Sequence, residues 1–251
     1  MSPDPQLSIV APEARVAGSA KIGAFCRIHP RVVIEEDVEI GDHCVIGHPT
    51  PRADGSPLVI RRGSLIRSHS VLYEGSSFGP GLTTGHHVTL RERIAAGEGA
   101  HFGSYSEILG NLEIGDHVRT HSRVLICPGS VIEDFAWIFA GTVFTEDRYP
   151  PCDEHRAAPH VHRYAVIGVQ VTLMPGVVVG EGALVASKSL VRHDVDPEML
   201  VAGVPARPLC RTSELEQLAG SGQPAYPWRR HFHRGYPEDV VARWKHEFGR
   251  S

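Results

Sequence analysis

The chain has 251 residues, 41% of them hydrophobic, so one sizeable buried core is affordable; its formal charge of −4 gives no basic field, which argues against a nucleic-acid partner. No apolar run approaches the roughly 18 residues of a membrane span, and the opening MSPDPQLSIV has neither the basic segment nor the apolar run of a secretory signal, so a cytoplasmic protein without a membrane partner is expected. Five cysteines (Cys26, Cys44, Cys127, Cys152, Cys210) lack CxxC spacing and fit reduced thiols better than a disulfide framework.

Along the chain the first regularity is a period of six. Val10, Val16, Ile22, Ile28, Ile34, Ile40 and Ile46 form one unbroken run. A second, offset by two, holds Ile60, Ile66, Leu72, Phe78, Thr84 and Leu90, and continues past the weak member Ala96 through Phe102, Ile108, Ile114, Thr120, Ile126, Ile132, Ile138 and Phe144. A third contains Ile167, Leu173, Val179, Val185 and Val191. Four places after these anchors the residues are mostly small or β-branched, as at Cys26, Val38, Ser64, Ser70, Ala136, Thr142 and Val171, and glycine often follows the anchor directly.

Six fits neither an α-helix at 3.6 residues per turn nor one long strand at 2. It fits short strands joined by regular corners, with one large and one small side chain pointing inward and glycine relieving the backbone at the turn. Stacked coils then bury a continuous aliphatic column. Three long in-phase runs argue against a β-sandwich with chance spacing.

Two interruptions become surface loops, HPTPRADGSP (48–57) and TEDRYPPCDEHRAAPHVHRY (145–164). Past residue 208 the period stops. Ser213 and Glu216 have capping-box spacing and predict a short helix. The linker AGSGQPAYP leads to the basic-aromatic WRRHFHRGYP, whose Arg229, Arg230 and Arg234 are possible phosphate contacts. PEDVVARWKHEF then predicts a second helix with Val240, Val241, Trp244 and Phe248 on one face and Pro237 at its start. The domain reading is a repeat domain over 9–208 with a 145–164 insertion, and a helical extension over 209–251 that by default covers the solenoid end.

The pattern resembles the hexapeptide-repeat acyltransferases. That resemblance implies an all-β fold, a left-handed parallel β-helix of three faces and about eighteen residues per coil, with a short helical C-terminal extension; handedness comes from the resemblance alone. It also places Cys26 and Cys44 one above the other in the interior. TGHHVTLRE (84–92) is similar to the TGH-x-V-x-[IL]-RE segment of acyltransferases acting on nucleotide-linked amino sugars. HSRVLICPGSVIEDFAWIFAGTVFTEDRYPP resembles a further segment of those enzymes, and VIGVQVTLMPGVVVGEGALVASKSLVRHDVDPEMLVAGVPAR resembles the superfamily's common ending.

The resemblance implies acetyl-CoA, or another acyl-CoA, as co-substrate, no metal, and a homotrimer with the site between subunits. An amine attacking a thioester needs its proton removed and the oxyanion stabilised. His86 is the implied general base, with His87 the runner-up; His87 also falls one coil above His69, where the two would form a surface ladder. Glu92, Asn111 and His121 are candidate contacts to the acceptor, as is His87. Coenzyme A is expected along the C-terminal coils, near Lys188, Gly203, Ala206 and Arg207, although relatives often carry glycine where Lys188 stands.

The expected reaction is N-acetylation of a TDP- or UDP-linked amino deoxysugar. Rival acceptors are serine, small xenobiotics and lipid A precursors. A γ-carbonic-anhydrase-like metal enzyme is a rival class, but with His117 as the middle zinc ligand its partners would fall on Gly81 and Ser122, which cannot bind as that family does. A non-catalytic scaffold is the third reading; the TGH segment and long loop speak against it.

Overall fold

The structure, a computed structural model, describes residues 7–151, 156–225 and 235–248. Arg229, Arg230 and Arg234 lie outside the described residues, as does the side chain of Phe248.

The short strands stack into three flat faces of a left-handed parallel β-helix. Face A climbs from Ile9–Val10 to Leu190–Val191, face B from Arg15–Val16 to Val178–Val179, and face C from Lys21–Ile22 to Leu184–Val185 and Met199–Gly203. Each strand pairs in parallel with the residue eighteen places on wherever no insertion intervenes, as in Thr89↔Glu107 and Glu107↔Leu125. The anchors point inward as their spacing requires. From Ile28 to Val191 nearly all are buried, Ala96 being the partly exposed member, while Val10, in the first coil, remains exposed. Cys26 and Cys44 are buried one coil apart, fillers of the column rather than surface thiols.

The corners have a rule that the aliphatic pattern hides. Three places after most anchors the backbone takes positive φ, at Phe25, His43, His69, His87, Tyr105, Arg123, Gly141, Gln170 and Lys188 along the corner between faces C and A. Histidine and asparagine enter this conformation more readily than most L residues, and His43, His69, His87 and His117 all occupy it. Part of the chain's richness in histidine is thus a matter of corner geometry.

Most glycines directly after the anchors, Gly47 excepted, serve a different purpose from the one their position suggests. Gly85 does not have positive φ; a Cβ there would sit 2.3 Å from the Ser104 amide nitrogen of the next coil. Glycine is needed for close stacking of coils, and the turn itself is made two residues later.

Both insertions leave the prism at one corner, between faces A and B. The second is shorter than its composition implies. The strand His160–Val161 already pairs with Val131–Ile132 and Val178–Val179, so the repeat resumes with Val161 as a buried anchor and the loop ends at residue 159 rather than 164. The proline- and histidine-rich flank concealed one two-residue strand.

The C-terminal segment also departs from expectation. The helix signalled by Ser213 and Glu216 is only a single 3-10 turn, Thr212–Glu214, because the Glu216 carboxylate accepts from the amides of Gly220 and Gly222 instead of capping a helix. The second helix, α1 (Glu238–Phe248), forms as expected, with Val240 and Trp244 buried. It lies along the corner between faces B and C, against Phe135 and Tyr164, rather than over the end of the solenoid. Aromatic surface on that flank outcompetes the open end for the helix. The last edge of face C is instead met by Ala206–Arg211, which folds back antiparallel on Met199–Gly203.

Candidate active site

A cleft of about 380 Å³ runs along face C beside the corner with face A, and His86, His101, His121, Arg67 and Arg119 all line it, with Trp137 among its other walls. Each wall residue has a simple origin. Thr83, His101, Arg119 and Trp137 occupy the outward place of successive face C strands, one coil apart. His86 and His121 stand on the adjoining corner, where the chain turns away from the core.

His86 is exposed, and its amide donates to the Ser104 hydroxyl at 3.0 Å. His101 is half-buried; burial lowers its pKa below the ordinary imidazole value, and the nearby Arg119, Arg67 and His121 add to that effect. Burial lowers His121 in the same direction, and its ring stacks on Phe139 at 4.3 Å. Arg119 donates to the Gly235 carbonyl at 2.9 Å and lies 4.2 Å from the centre of the Tyr236 ring. Arg67 donates to the Thr84 carbonyl at 2.8 Å. The cleft therefore combines fixed positive charge with two imidazoles, His101 and His121, that favour the neutral, proton-accepting form.

The residues picked from sequence fall into four groups. His86 and His121 meet in this cleft. His87, one residue from His86, points into a column of stacked rings: Phe25, His43, His69, His87 and Tyr105 follow one another at 4.6 to 4.9 Å, with the Arg123 guanidinium 5.9 Å from the centre of the Tyr105 ring. Glu92 and Asn111 sit on the corner between faces A and B, across the width of face A from His86. There Glu92 is buried and takes two hydrogen bonds from Arg91, at 3.1 and 3.2 Å, while the Asn111 amide donates to the Glu92 carbonyl at 2.9 Å.

Lys188, Gly203, Ala206 and Arg207 gather at the C-terminal coils. The Gly203 amide donates to the hydroxyl of Ser189, next to Lys188, and Gly203 and Arg207 face Ala206 and Ala202 across the terminal hairpin. Lys188 stands on the same corner as His87, five coils further on, or about 24 Å at the strand spacing.

His101, Arg67, Arg119 and Trp137 escaped the sequence reading. The last three of the column Thr83, His101, Arg119 and Trp137 recur at every eighteenth place, but on outward strand positions, where polar residues are ordinarily unremarkable; Arg67, directly after the anchor Ile66, carried no such signal.

The model of the family described as bacterial transferase hexapeptide (six repeats) matches residues 19–50. Over those residues the chain carries hexapeptide repeats similar to that family's. Its hexapeptide-repeat coils are similar to the bifunctional protein GlmU of Stutzerimonas stutzeri, at 28% identity over 200 residues, 80% of this chain and 41% of that protein. GlmU of Rubrobacter xylanophilus is 29% identical over 192 residues, 76% of this chain and 39% of its own. The chain spans about two fifths of the length of these curated relatives. A hexapeptide-repeat-containing acetyltransferase from Vibrio cholerae superposes with a TM-score of 0.37 at 25% identity, over 43% of this chain and 72% of that one. Among the described residues no helix is long and apolar enough to cross a membrane.

Proposed function

We propose that this hexapeptide-repeat protein transfers an acyl group, most simply acetyl, from acyl-coenzyme A to the amine of a nucleotide-linked amino deoxysugar. The observation that carries this reading is the face C cleft, where His86, His101 and His121 stand beside Arg67 and Arg119. The arginines offer charge-assisted hydrogen bonds to a diphosphate. A neutral imidazole supplies the base.

In the proposed reaction the acceptor nitrogen attacks the thioester carbonyl carbon and gives up a proton to His86. Collapse of the tetrahedral intermediate forms the amide and expels the coenzyme A thiolate, which takes the proton and leaves as free thiol. Main-chain N–H groups serve the oxyanion. Coenzyme A lies along the corner between His86 and Lys188, with its nucleotide end towards Gly203, Ala206 and Arg207. The working unit is a homotrimer. Supporting this, the outward column of face A has half-buried apolar stretches, Val45 beside Val71 and Leu125 beside Val143, with Thr89 and Glu107 between them. Faces A and C meet at the corner bearing His86, so a neighbour seated on face A borders the cleft. Asn111, exposed on the far corner of face A, then serves the neighbouring subunit's acceptor, while Glu92 holds Arg91 beside it instead of touching the acceptor.

The test is free-thiol release from acetyl-CoA against a panel of TDP- and UDP-amino sugars. Turnover with at least one member is expected, and silence across the panel sinks the acceptor class. His86→Asn should lower kcat by roughly 10²–10⁴-fold, the usual worth of a general base. Near-full kcat in that variant would assign the proton to the substrate's own groups.

A further inference from the structure

Outside the cleft, the residues that resume the repeat after the second insertion bring two imidazoles onto one carboxylate. His160 and His162 flank the buried anchor Val161, so their side chains leave face B on the same outward side. Glu133, at the matching place one coil earlier, presents one oxygen to both: Oε1 lies 2.8 Å from His160 Nε2 and 2.9 Å from His162 Nδ1. The other oxygen accepts from the Arg163 amide at 3.1 Å, which fixes the carboxylate's orientation. The two rings stack at 4.2 Å, and all three donor atoms lie within 4.8 Å of one another.

We propose that Glu133, His160 and His162 form a binding site for a divalent first-row cation of the zinc type. The donor set, two imidazoles and one carboxylate, suits that class. Zinc bonds of about 2.0–2.2 Å to nitrogen and oxygen put neighbouring ligand atoms roughly 3.0–3.4 Å apart at octahedral to tetrahedral angles. The two Glu133 contacts need to open by only a few tenths of an ångström to reach that separation. Each side chain keeps about a third of its surface exposed (35–36%), which leaves the remaining coordination positions to water. The Arg163 amide is an outer-shell contact that orients the carboxylate before the ion arrives.

The ion would tie two successive coils together where the second insertion leaves the prism. It would also stand beside α1, because the Arg163 guanidinium donates to Glu247 at 2.6 Å. Its role is therefore a clip on this part of the solenoid, independent of acyl transfer.

The test uses the full chain prepared without a histidine tag, stripped with EDTA and titrated with Zn²⁺ by calorimetry, with thermal melting in parallel. One Zn²⁺ per chain is expected, with a rise in Tm. Glu133→Gln keeps the side-chain volume and should weaken binding by at least about 10-fold and abolish the Tm rise, and His162→Ala should do the same. His43→Ala, on another corner, should bind as the unaltered chain does. Circular dichroism of each variant checks that the β-helix is retained; Glu133→Gln, the mildest change, carries the test if His162→Ala fails to fold. The proposal is overturned if the unaltered chain takes up no stoichiometric Zn²⁺, or if Glu133→Gln binds it equally well.

Discussion

At the corner between faces A and B, Gly110 passes so close to the preceding coil that an added Cβ would lie 1.9 Å from the Glu92 carbonyl oxygen. That oxygen already accepts from the Asn111 amide, so it cannot retreat without losing a coil-to-coil hydrogen bond. Gly110→Ala should therefore cost about 1–3 kcal/mol, the usual range for overpacking, read as a lower denaturant midpoint. The same close approach explains what was and was not legible in the sequence. The aliphatic anchors could be read because inward positions admit few residue types, and their period fixed the solenoid. The corner histidines could be counted but not sorted. His87 and His86 are adjacent, yet one is a rung in a stack and the other faces the cleft, a difference set by φ at a single residue.

Burial of imidazoles makes a prediction about pH. His101, His117 and His121 all have pKa values below the ordinary 6.5, with burial the largest cause in each. For a group depressed on folding, the unfolded chain takes up the proton first. These residues thus leave stability untouched well above pH 6.5 and remove it progressively as pH falls through 6.5 towards their folded values. The urea midpoint should drop between pH 7.5 and 5.5, and His101→Gln should make that drop shallower. An unchanged slope in that variant would show that His101 is as free to protonate in the folded chain as in the unfolded one.

Among elements, the telling comparison is between two columns of corner rings. The column Phe25, His43, His69, His87, Tyr105 is uncovered along most of its length, whereas His117, Phe135 and Tyr164 form a second column that α1 covers through Trp244. Tyr236 completes that seat, accepting from Trp137 Nε1 at 2.7 Å, and burial pushes the Tyr164 hydroxyl pKa up to about 12. The helix itself was legible from the spacing of Val240, Val241 and Trp244. Its resting place was not, since the partner rings lie on corners about a hundred residues earlier in the chain. Trp244→Ala should release α1 while leaving the β-helix intact: the helical signal in circular dichroism falls and trypsin cuts within 238–248, but the main thermal transition moves little. Loss of the whole transition would instead make α1 integral to the solenoid.

On the scale of the molecule, a β-helix has faces but no closed outer layer, so each flat face is either wetted or paired. The outward places of face C carry His101, Arg119 and Trp137 in mid-column, with Leu65 before them and Val166 and Leu184 after; those of face A carry Val45 beside Val71 and Leu125 beside Val143, with Thr89 and Glu107 between the two pairs. The apolar pairs on face A gain from leaving water at about 25 cal/mol per Å², while the His101 and Arg119 stretch of face C gains little from burial. Association through face A buries the apolar pairs and leaves the cleft open at its margin. Leu125→Glu and Val71→Glu place a charge in each pair without touching the interior. The unaltered chain should elute as a trimer by light scattering, the double variant as a monomer with its thermal transition preserved, and acetyl transfer should fall with the trimer if, as proposed, Asn111 serves a neighbour's cleft. A double variant that stays trimeric would move the interface to another face, and one that is monomeric yet fully active would place the entire site within a single chain.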